Sequence, residues 1–118
     1  MAGECLRKVE RIRASAEFKE VLKKGKAYGG KHLVLFCLGD RQSGRRVGFT
    51  TTRRVPNAVV RNRAKRLMRE AYRKLKGGIE GEGCSLVFLA RGDTRDLTLS
   101  TVQAEMVDLL TSACLWRG

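Results

Sequence analysis

The residues with the clearest chemical potential are cations spaced at helical intervals between residues 56 and 76. This segment reads PNAVVRNRAKRLMREAYRKLK and contains Glu70 as its only acid. Lys and Arg side chains neutralise phosphate charge and donate hydrogen bonds to phosphate oxygens. A solvated helix face usually mixes both signs of charge, because like charges at i and i+4 repel. This many cations without counter-charges favours a polyanionic partner over a face that serves solubility alone.

The same segment predicts one long amphipathic helix over residues 56–76. Asn57 is a suitable N-cap after Pro56, and Gly77-Gly78 ends the helix. Apolar residues recur at the helical period and form one buried stripe: Val60, Ala64, Leu67, Met68, Ala71, Tyr72 and Leu75. Glu70 can pair with Lys74, four residues on. The opposite side, here termed the basic face, consists of Arg61, Asn62, Lys65, Arg66, Arg69, Arg73 and Lys76.

The net charge of +13 on this chain of 118 residues is concentrated in its middle third. Residues 41–76 carry 13 Lys and Arg against one acid, whereas residues 77–118 carry three against six. Such segregation is the electrostatic footprint of a nucleic-acid surface. With 42% hydrophobic residues the chain can bury a core. We therefore expect a single nucleic-acid-binding domain over residues 1–118, with residues 1–13 as a basic N-terminal arm.

No sequence feature indicates a membrane or a metal. No uncharged run exceeds eight residues, and the opening MAGECLRKVER lacks an apolar h-region, so a cytoplasmic protein without a membrane partner is expected. Cys5, Cys37, Cys84 and Cys114 are widely separated, and His32 is the only histidine. We expect no protein metal site, and we predict the last three cysteines to be small core residues.

Two further helices are predicted on either side of the basic segment. Ser15 begins a helix of about ten residues, with Phe18, Val21 and Leu22 on its apolar face and Gly25 at its end. A capping box over residues 100–103 begins the last helix. Its apolar positions are Leu99, Val102, Met106, Leu109, Leu110 and Ala113.

Four short segments are predicted strands, at residues 26–28, 32–38, 46–53 and 84–91. The turn-rich residues 39–44 predict a hairpin that joins the second strand to the third. In the third strand Val47, Phe49 and Thr51 alternate onto one face. The order α-β-β-β-α-β-α indicates the α+β class, a single small sandwich of helices on one sheet.

Catalytic constellations are not evident. A two-metal nuclease needs clustered carboxylates, and the acids here are scattered. His32, in an apolar strand, is better explained as a packed or edge residue than as a general base. The chemistry of the side chains alone therefore indicates a binding module.

The aromatic residues bear on the type of nucleic acid. Single strands bind in basic grooves with aromatic or apolar platforms for the bases. Phe18, Tyr28, Phe36 and Phe49 come from the first helix and the early strands, where they could line one concave face. Core packing is favoured for Phe49 and Phe88, whereas both interpretations stay open for Phe18 and Phe36.

The run VGFTTTRRVPNAVVRNRAKRLMREAYR resembles the signature of the bacterial ribonuclease P protein family. The likeness extends from LRKVERIRASAEFKEVLKKG, through a V-G strand, to the pattern R-N-R-x-K-R-x-x-R-E. It implies a ribosomal-protein-like fold with a left-handed β-α-β crossover around the basic helix. General rules favour a right-handed crossover, so this hand depends on the resemblance.

The resemblance implies a protein subunit of ribonuclease P, the ribonucleoprotein endonuclease that removes the 5′ leader of precursor tRNA. The catalytic RNA performs the hydrolysis with Mg2+, and the protein alone is not expected to be active. The implied partners are that RNA and precursor tRNA, and the protein is expected to be a monomer within the ribonucleoprotein. The RNA-facing residues carried over by motif are Arg53, Arg54, Arg61, Asn62, Arg63, Lys65, Arg66 and Arg69. The leader cleft would contain Phe18, Leu22 and Phe36.

The sequence departs from the family pattern at two positions, and two other functions stay open. Leu22 stands where relatives often carry an aromatic residue, and Pro56 stands where glycine is common. A ribosomal-type structural protein would bind folded RNA without regard to a 5′ leader. A stand-alone basic nuclease would cleave RNA without an RNA subunit, but the scattered acids disfavour it.

Overall fold

The computed structural model describes residues 12, 15–39, 46–52, 58–79, 84–91 and 94–117. The rest of the basic arm, the turn at 40–45, the helix entry at Pro56 and Asn57, and the loop at 80–83 lie outside the described residues. The predicted order of elements is confirmed. It comprises α1 (Ser15–Lys24), β1 (Lys26–Gly29), β2 (Leu33–Leu38), β3 (Arg46–Thr51), α2 (Ala58–Leu75), a 3-10 turn (Lys76–Gly78), β4 (Ser85–Ala90) and α3 (Leu99–Ser112).

The four strands form one sheet in the order β1-β2-β4-β3. Neighbouring pairs are antiparallel for β1 with β2 and for β2 with β4, and parallel for β3 with β4. The predicted hairpin between β2 and β3 is therefore wrong, because β4 lies between them. The two strands without a charged residue, LVLFCL and SLVFLA, take the central positions, where both faces are covered. The more polar β1 and β3 form the edges.

The parallel pairing of β3 with β4 fixes the position of α2. Parallel neighbours cannot be joined by a tight turn and need a crossover connection. Here α2 supplies that connection, so β3, α2 and β4 form a β-α-β unit. The left hand of this crossover stays a prediction from the resemblance.

Helices cover both faces of the sheet. On one face α2 and α3 enclose the main core, which contains Leu35, Met68 and Phe88 among its fully buried side chains. On the other face α1 covers a smaller cluster around Val21 and Val87. The adjacent β4 residues Val87 and Phe88 pack in different clusters, because successive side chains of a strand point to opposite faces of the sheet.

The longest helix, α2, confirms the predicted amphipathic pattern. Its fully buried residues all come from the predicted stripe, and they are Ala64, Met68, Ala71 and Tyr72. Glu70 pairs with Arg73, three residues on, rather than with Lys74 as predicted. The hydrogen bond from Arg73 lowers the pKa of Glu70. None of the helices in the described ranges is long and apolar enough to cross a membrane.

The ends of α3 differ from the prediction. The N-cap is Thr98, two residues before the expected N-cap at Ser100, and its side-chain oxygen accepts a hydrogen bond from the Thr101 amide at 3.2 Å. Beyond its C-terminus, Cys114 has a φ of 60° and an exposed side chain, so its predicted place in the core is wrong. Cys37 and Cys84 are half-buried against the main core.

Replacement of Phe88 tests the position of the main core. Its ring is fully buried, 6.0 Å from the ring of Phe49 and 6.4 Å from that of Tyr72. We expect Phe88→Ala to lower the free energy of unfolding by about 3 to 5 kcal/mol, because the substitution leaves a cavity. Urea unfolding followed by circular dichroism measures the loss.

Val59→Ala is the matched control, because Val59 is 78% exposed. It should change the free energy of unfolding by less than about 0.5 kcal/mol. If Phe88→Ala lowered the free energy of unfolding by as little as the control does, the central position of the ring would be contradicted.

Candidate nucleic-acid interface

A cleft of about 400 Å³ lies between α1 and α2, against the edge strand β3. The side chains that α2 contributes are polar or cationic, whereas α1, β3 and the N-terminal arm contribute only apolar residues and a glycine. The cleft therefore has a cationic wall and an apolar wall. Its lining residues are Ile12, Phe18, Val47, Gly48, Phe49, Asn62, Lys65, Arg66 and Arg69.

The cationic wall follows from the helical period of α2. Asn62, Lys65, Arg66 and Arg69 are spaced i, i+3, i+4 and i+7, so they share one face of the helix. The buried stripe of α2 holds that face beside β3. Three positive charges and no acid line the cleft, so it attracts anions.

The apolar wall is built from β3 and the elements that pack on it. Phe49 contacts the core rings of Tyr72 and Phe88 and also lines the cleft. The Arg46 guanidinium of β3 donates to a carboxylate oxygen of Glu17 in α1 at 3.0 Å. This half-buried ion pair holds α1 against β3 and so fixes the distance between Phe18 and the strand.

The backbone edge of β3 also faces the cleft side. The amides of Arg46 and Thr52 donate to the carbonyls of Cys84 and Ala90, on the β4 side, at 2.9 and 3.0 Å. Because backbone groups alternate between the two edges of a strand, the amide and carbonyl of Phe49 point to the other edge. Such an edge offers hydrogen-bond donors and acceptors to a ligand in the cleft.

This combination of walls suits a single strand of nucleic acid. Phosphates bind to cations in such grooves, and bases or riboses bury their surface on aromatic and apolar side chains. A volume of about 400 Å³ is in the range of sites that hold one small ligand or one unit of a polymer.

A family of known proteins matches most of the chain. Residues 6–114 match the family model described as Ribonuclease P. The chain belongs to the ribonuclease P protein family.

Relatives and solved structures of the family cover most of this chain. A ribonuclease P protein component of Clostridium novyi (strain NT) is 37% identical over 113 residues, which are 94% of this chain and 99% of that protein. One of Clostridium botulinum (strain 657 / Type Ba4) is 34% identical, over 92% and 98%. The RNase P protein of Staphylococcus aureus superposes with a TM-score of 0.77 at 26% identity, over 91% and 97%. That of Thermotoga maritima gives 0.75 at 27%, over 87% and 96%.

The residues that the ribonuclease P motif singled out fall into three groups in the structure. Asn62, Lys65, Arg66 and Arg69 line the cleft together. Arg61 and Arg63 lie on α2 outside the cleft lining. Arg53 and Arg54 lie outside the described residues.

Arg63 makes contacts that differ from those of the cleft residues. Its guanidinium donates to the Leu97 carbonyl at 2.7 Å and to the carbonyls of Thr94 and Arg95 at 3.4 Å each. These bonds attach the segment before α3 to α2. The spacing of the motif gives no sign of this role, because the accepting groups are backbone atoms distant in sequence.

The three predicted leader residues pack together but do not contribute equally to the cleft. Phe18, Leu22 and Phe36 are half-buried in the smaller cluster under α1. Of the three, Phe18 lines the cleft, and Leu22 and Phe36 lie behind it. The two interpretations left open for Phe18 are thus combined, because its ring belongs to the cluster and also to the cleft wall.

Four lining residues were not predicted as part of a site. Ile12, Val47 and Phe49 follow the general apolar pattern, which does not separate a cleft wall from a core. Gly48 carried a usable signal, because glycine within a strand often marks the close approach of another group.

His32 is held in a structural contact. It precedes β2, and its amide and that of Leu33 donate to one carboxylate oxygen of Glu105 in α3, at 2.6 and 2.5 Å. The His32 ring nitrogen Nδ1 lies 3.2 Å from the other oxygen. Glu105 therefore attaches the β1–β2 turn to α3.

Titratable groups elsewhere do not assemble a metal centre within the part of the chain that the structure describes. No group of three or more His, Cys, Asp or Glu residues is close enough there to hold an ion. Burial and, to a smaller extent, the neighbouring Cys84 raise the pKa of the Cys37 thiol to about 11. At neutral pH Cys37 is therefore a protonated thiol, which is a poor nucleophile.

Substitution of Arg63 separates its structural contacts from those of the cleft. We expect Arg63→Ala to lower the free energy of unfolding by about 1 to 2 kcal/mol, because it removes charged hydrogen bonds to three carbonyls. Arg66→Ala is the matched control and should change stability by less than about 0.5 kcal/mol, since Arg66 is exposed. Equal stability of the two variants in urea unfolding would contradict the role of Arg63.

Proposed function

We propose that this chain is the RNA-binding protein subunit of a ribonuclease P holoenzyme that removes the 5′ leader of precursor tRNA. In this proposal the cleft holds the single-stranded leader, with Lys65, Arg66 and Arg69 of the basic face as its cations, and Arg61 contacts the catalytic RNA. We place the assembly in the cytoplasm, with the protein as a monomer within the ribonucleoprotein. Family membership supports the holoenzyme, and the cleft supports the contact with a single strand.

One observation carries the leader proposal. Phe18 of α1 lines the same cleft as Lys65, Arg66 and Arg69 of α2. An unpaired strand needs both kinds of contact, cations for its phosphates and an apolar surface for its bases or riboses. A cationic helix face alone would suit any structured RNA.

The proposal divides the cations into two sets. Lys65, Arg66 and Arg69 lie opposite Phe18 and contact leader phosphates, with Asn62 as a hydrogen-bonding partner. Arg61, together with Arg53 and Arg54 at the helix entry, contacts the catalytic RNA. Arg63 contributes to the RNA surface through its charge while its guanidinium holds the segment before α3.

Magnesium belongs to the RNA subunit in this proposal. Carboxylates are the protein groups that hold Mg2+, and the described residues contain no cluster of them. No protein step therefore passes through Mg2+. Cations close to the RNA reduce the repulsion between its phosphates, so the RNA needs less Mg2+ to stay folded. The protein alone is not expected to cleave RNA.

The reconstituted holoenzyme tests this function. Purified protein, combined with the cognate ribonuclease P RNA at low Mg2+, should stimulate cleavage of precursor tRNA at the 5′ end of the mature sequence. Protein without the RNA should give no cleavage. No stimulation at any protein concentration would contradict the proposal, and cleavage by the protein alone would favour the stand-alone nuclease.

Leader length separates the proposed function from a ribosomal-type structural protein. The holoenzyme should bind precursor tRNA more tightly than mature tRNA, whereas a structural protein would bind folded RNA equally well with and without a leader.

Arg66→Ala measures the phosphate contacts of the cleft. We expect weaker binding to precursor tRNA, with a plot of log affinity against log salt that is shallower by about 0.7 to 0.9, because one phosphate contact is lost. Fluorescence anisotropy over a salt series measures the slope. Lys74→Ala is the control, since Lys74 is an exposed cation of α2 outside the cleft lining. A slope change as large for Lys74→Ala would contradict the assignment of the contact to the cleft.

A further inference from the structure

Gly48 occupies a position in β3 where a larger residue fits only if the Phe18 ring shifts. A Cβ atom added there would lie 2.6 Å from Cε1 and 2.6 Å from Cζ of the Phe18 ring, and 3.3 Å from the Ile12 Cβ. Carbon atoms in contact are separated by about 3.5 to 4.0 Å, so the ring would have to withdraw by about 1 Å. The Phe18 ring thus lies directly against the backbone of the strand.

Glycine at this position lowers the stability of the strand, and the local structure of β3 does not explain why a glycine is there. Glycine weakens a strand, because it loses more conformational freedom on folding and offers no side chain for packing. The strand residues on either side, Val47 and Phe49, follow the ordinary pattern for β structure. The contact with Phe18 is the feature of this position that requires a missing side chain.

The close approach of the ring sets the shape of the cleft. Gly48 and Phe18 both line it, opposite the cations of α2. With glycine, the ring lies against the strand and leaves the space between it and α2 open. With any larger residue, the ring would move away from the strand into that space.

We propose that Gly48 is a positioning residue that determines selectivity for the single-stranded leader through Phe18. This inference rests on the proposed function, because it concerns the strand that the cleft holds. The selectivity then depends on how far the Phe18 ring lies from α2, and not on the charge of α2. A substitution at Gly48 then changes the affinity for the leader and leaves the contacts with the rest of the tRNA and with the catalytic RNA intact.

The experiment compares leader selectivity in five reconstituted holoenzymes, four that test the inference and one control. Dissociation constants are measured for precursor tRNA with a 5′ leader and for mature tRNA, and their ratio is the selectivity. The proteins are wild type, Gly48→Ala, Phe18→Ala and the double variant. Gly29→Ala is the matched control, because Gly29 lies in the opposite edge strand and an added Cβ meets only the Arg91 side chain at an ordinary 3.6 Å.

We expect Gly48→Ala and Phe18→Ala each to lower the selectivity by about tenfold, the size of one lost base contact. The double variant should match Phe18→Ala, because Gly48 acts through the ring. Gly29→Ala should keep the wild-type ratio. The inference would be overturned if the loss of selectivity in the double variant were the product of the two single losses. It would also be overturned if Gly48→Ala weakened binding to precursor and mature tRNA equally.

Two further outcomes remain decisive. If Gly48→Ala alone does not fold, Gly48→Ala/Phe18→Leu is compared with Phe18→Leu, whose shorter side chain leaves room for the added methyl group. Equal selectivity of these two supports the inference, and lower selectivity of the double variant contradicts it. A wild-type holoenzyme without preference for the precursor would contradict the proposed function itself, whereas a preference that Gly48→Ala retains would contradict only the role of Gly48.

Discussion

The burial of the apolar stripe of α2 against the sheet is the interaction on which the functional surface depends. Because Ala64, Met68, Ala71 and Tyr72 are fully buried, the helix cannot rotate about its axis without exposing them. The cations Lys65, Arg66 and Arg69, which lie between these buried positions in sequence, are therefore held toward β3. There they form the cationic wall of the cleft. Core packing and nucleic-acid binding are thus two consequences of one helical period.

The same packing offsets the electrostatic cost of the basic face. Like charges at i and i+4 destabilise a helix by roughly 0.2 to 0.5 kcal/mol a pair, whereas the burial of one large apolar side chain contributes about 1.5 to 3 kcal/mol. A few buried residues therefore outweigh the repulsion among the cations. The remaining repulsion is relieved when phosphates approach, so the charge that weakens the isolated protein strengthens its binding to RNA.

The sequence predicted those features that depend on local period and composition, and it failed where distant segments meet. The amphipathic stripe of α2 and the order of elements follow from spacing alone. The place of β4 between β2 and β3 does not, because the turn-rich residues 39–44 suit a hairpin and a longer connection equally. Phe18 and Lys65 were assigned to different sites for the same reason, since only the parallel pairing of β3 with β4 places α2 at the β3 edge, where Phe18 packs from the opposite face of the sheet.

Cross-linking of the leader tests the central claim most directly. A precursor tRNA with a single 4-thiouridine in its leader is bound to the reconstituted holoenzyme and irradiated, and the attached peptides are identified by mass spectrometry. Cross-links to the cleft residues Phe18, Phe49 and Lys65 are the predicted result. Cross-links confined to α3, which lies on the other side of the main core from the cleft, would contradict the account.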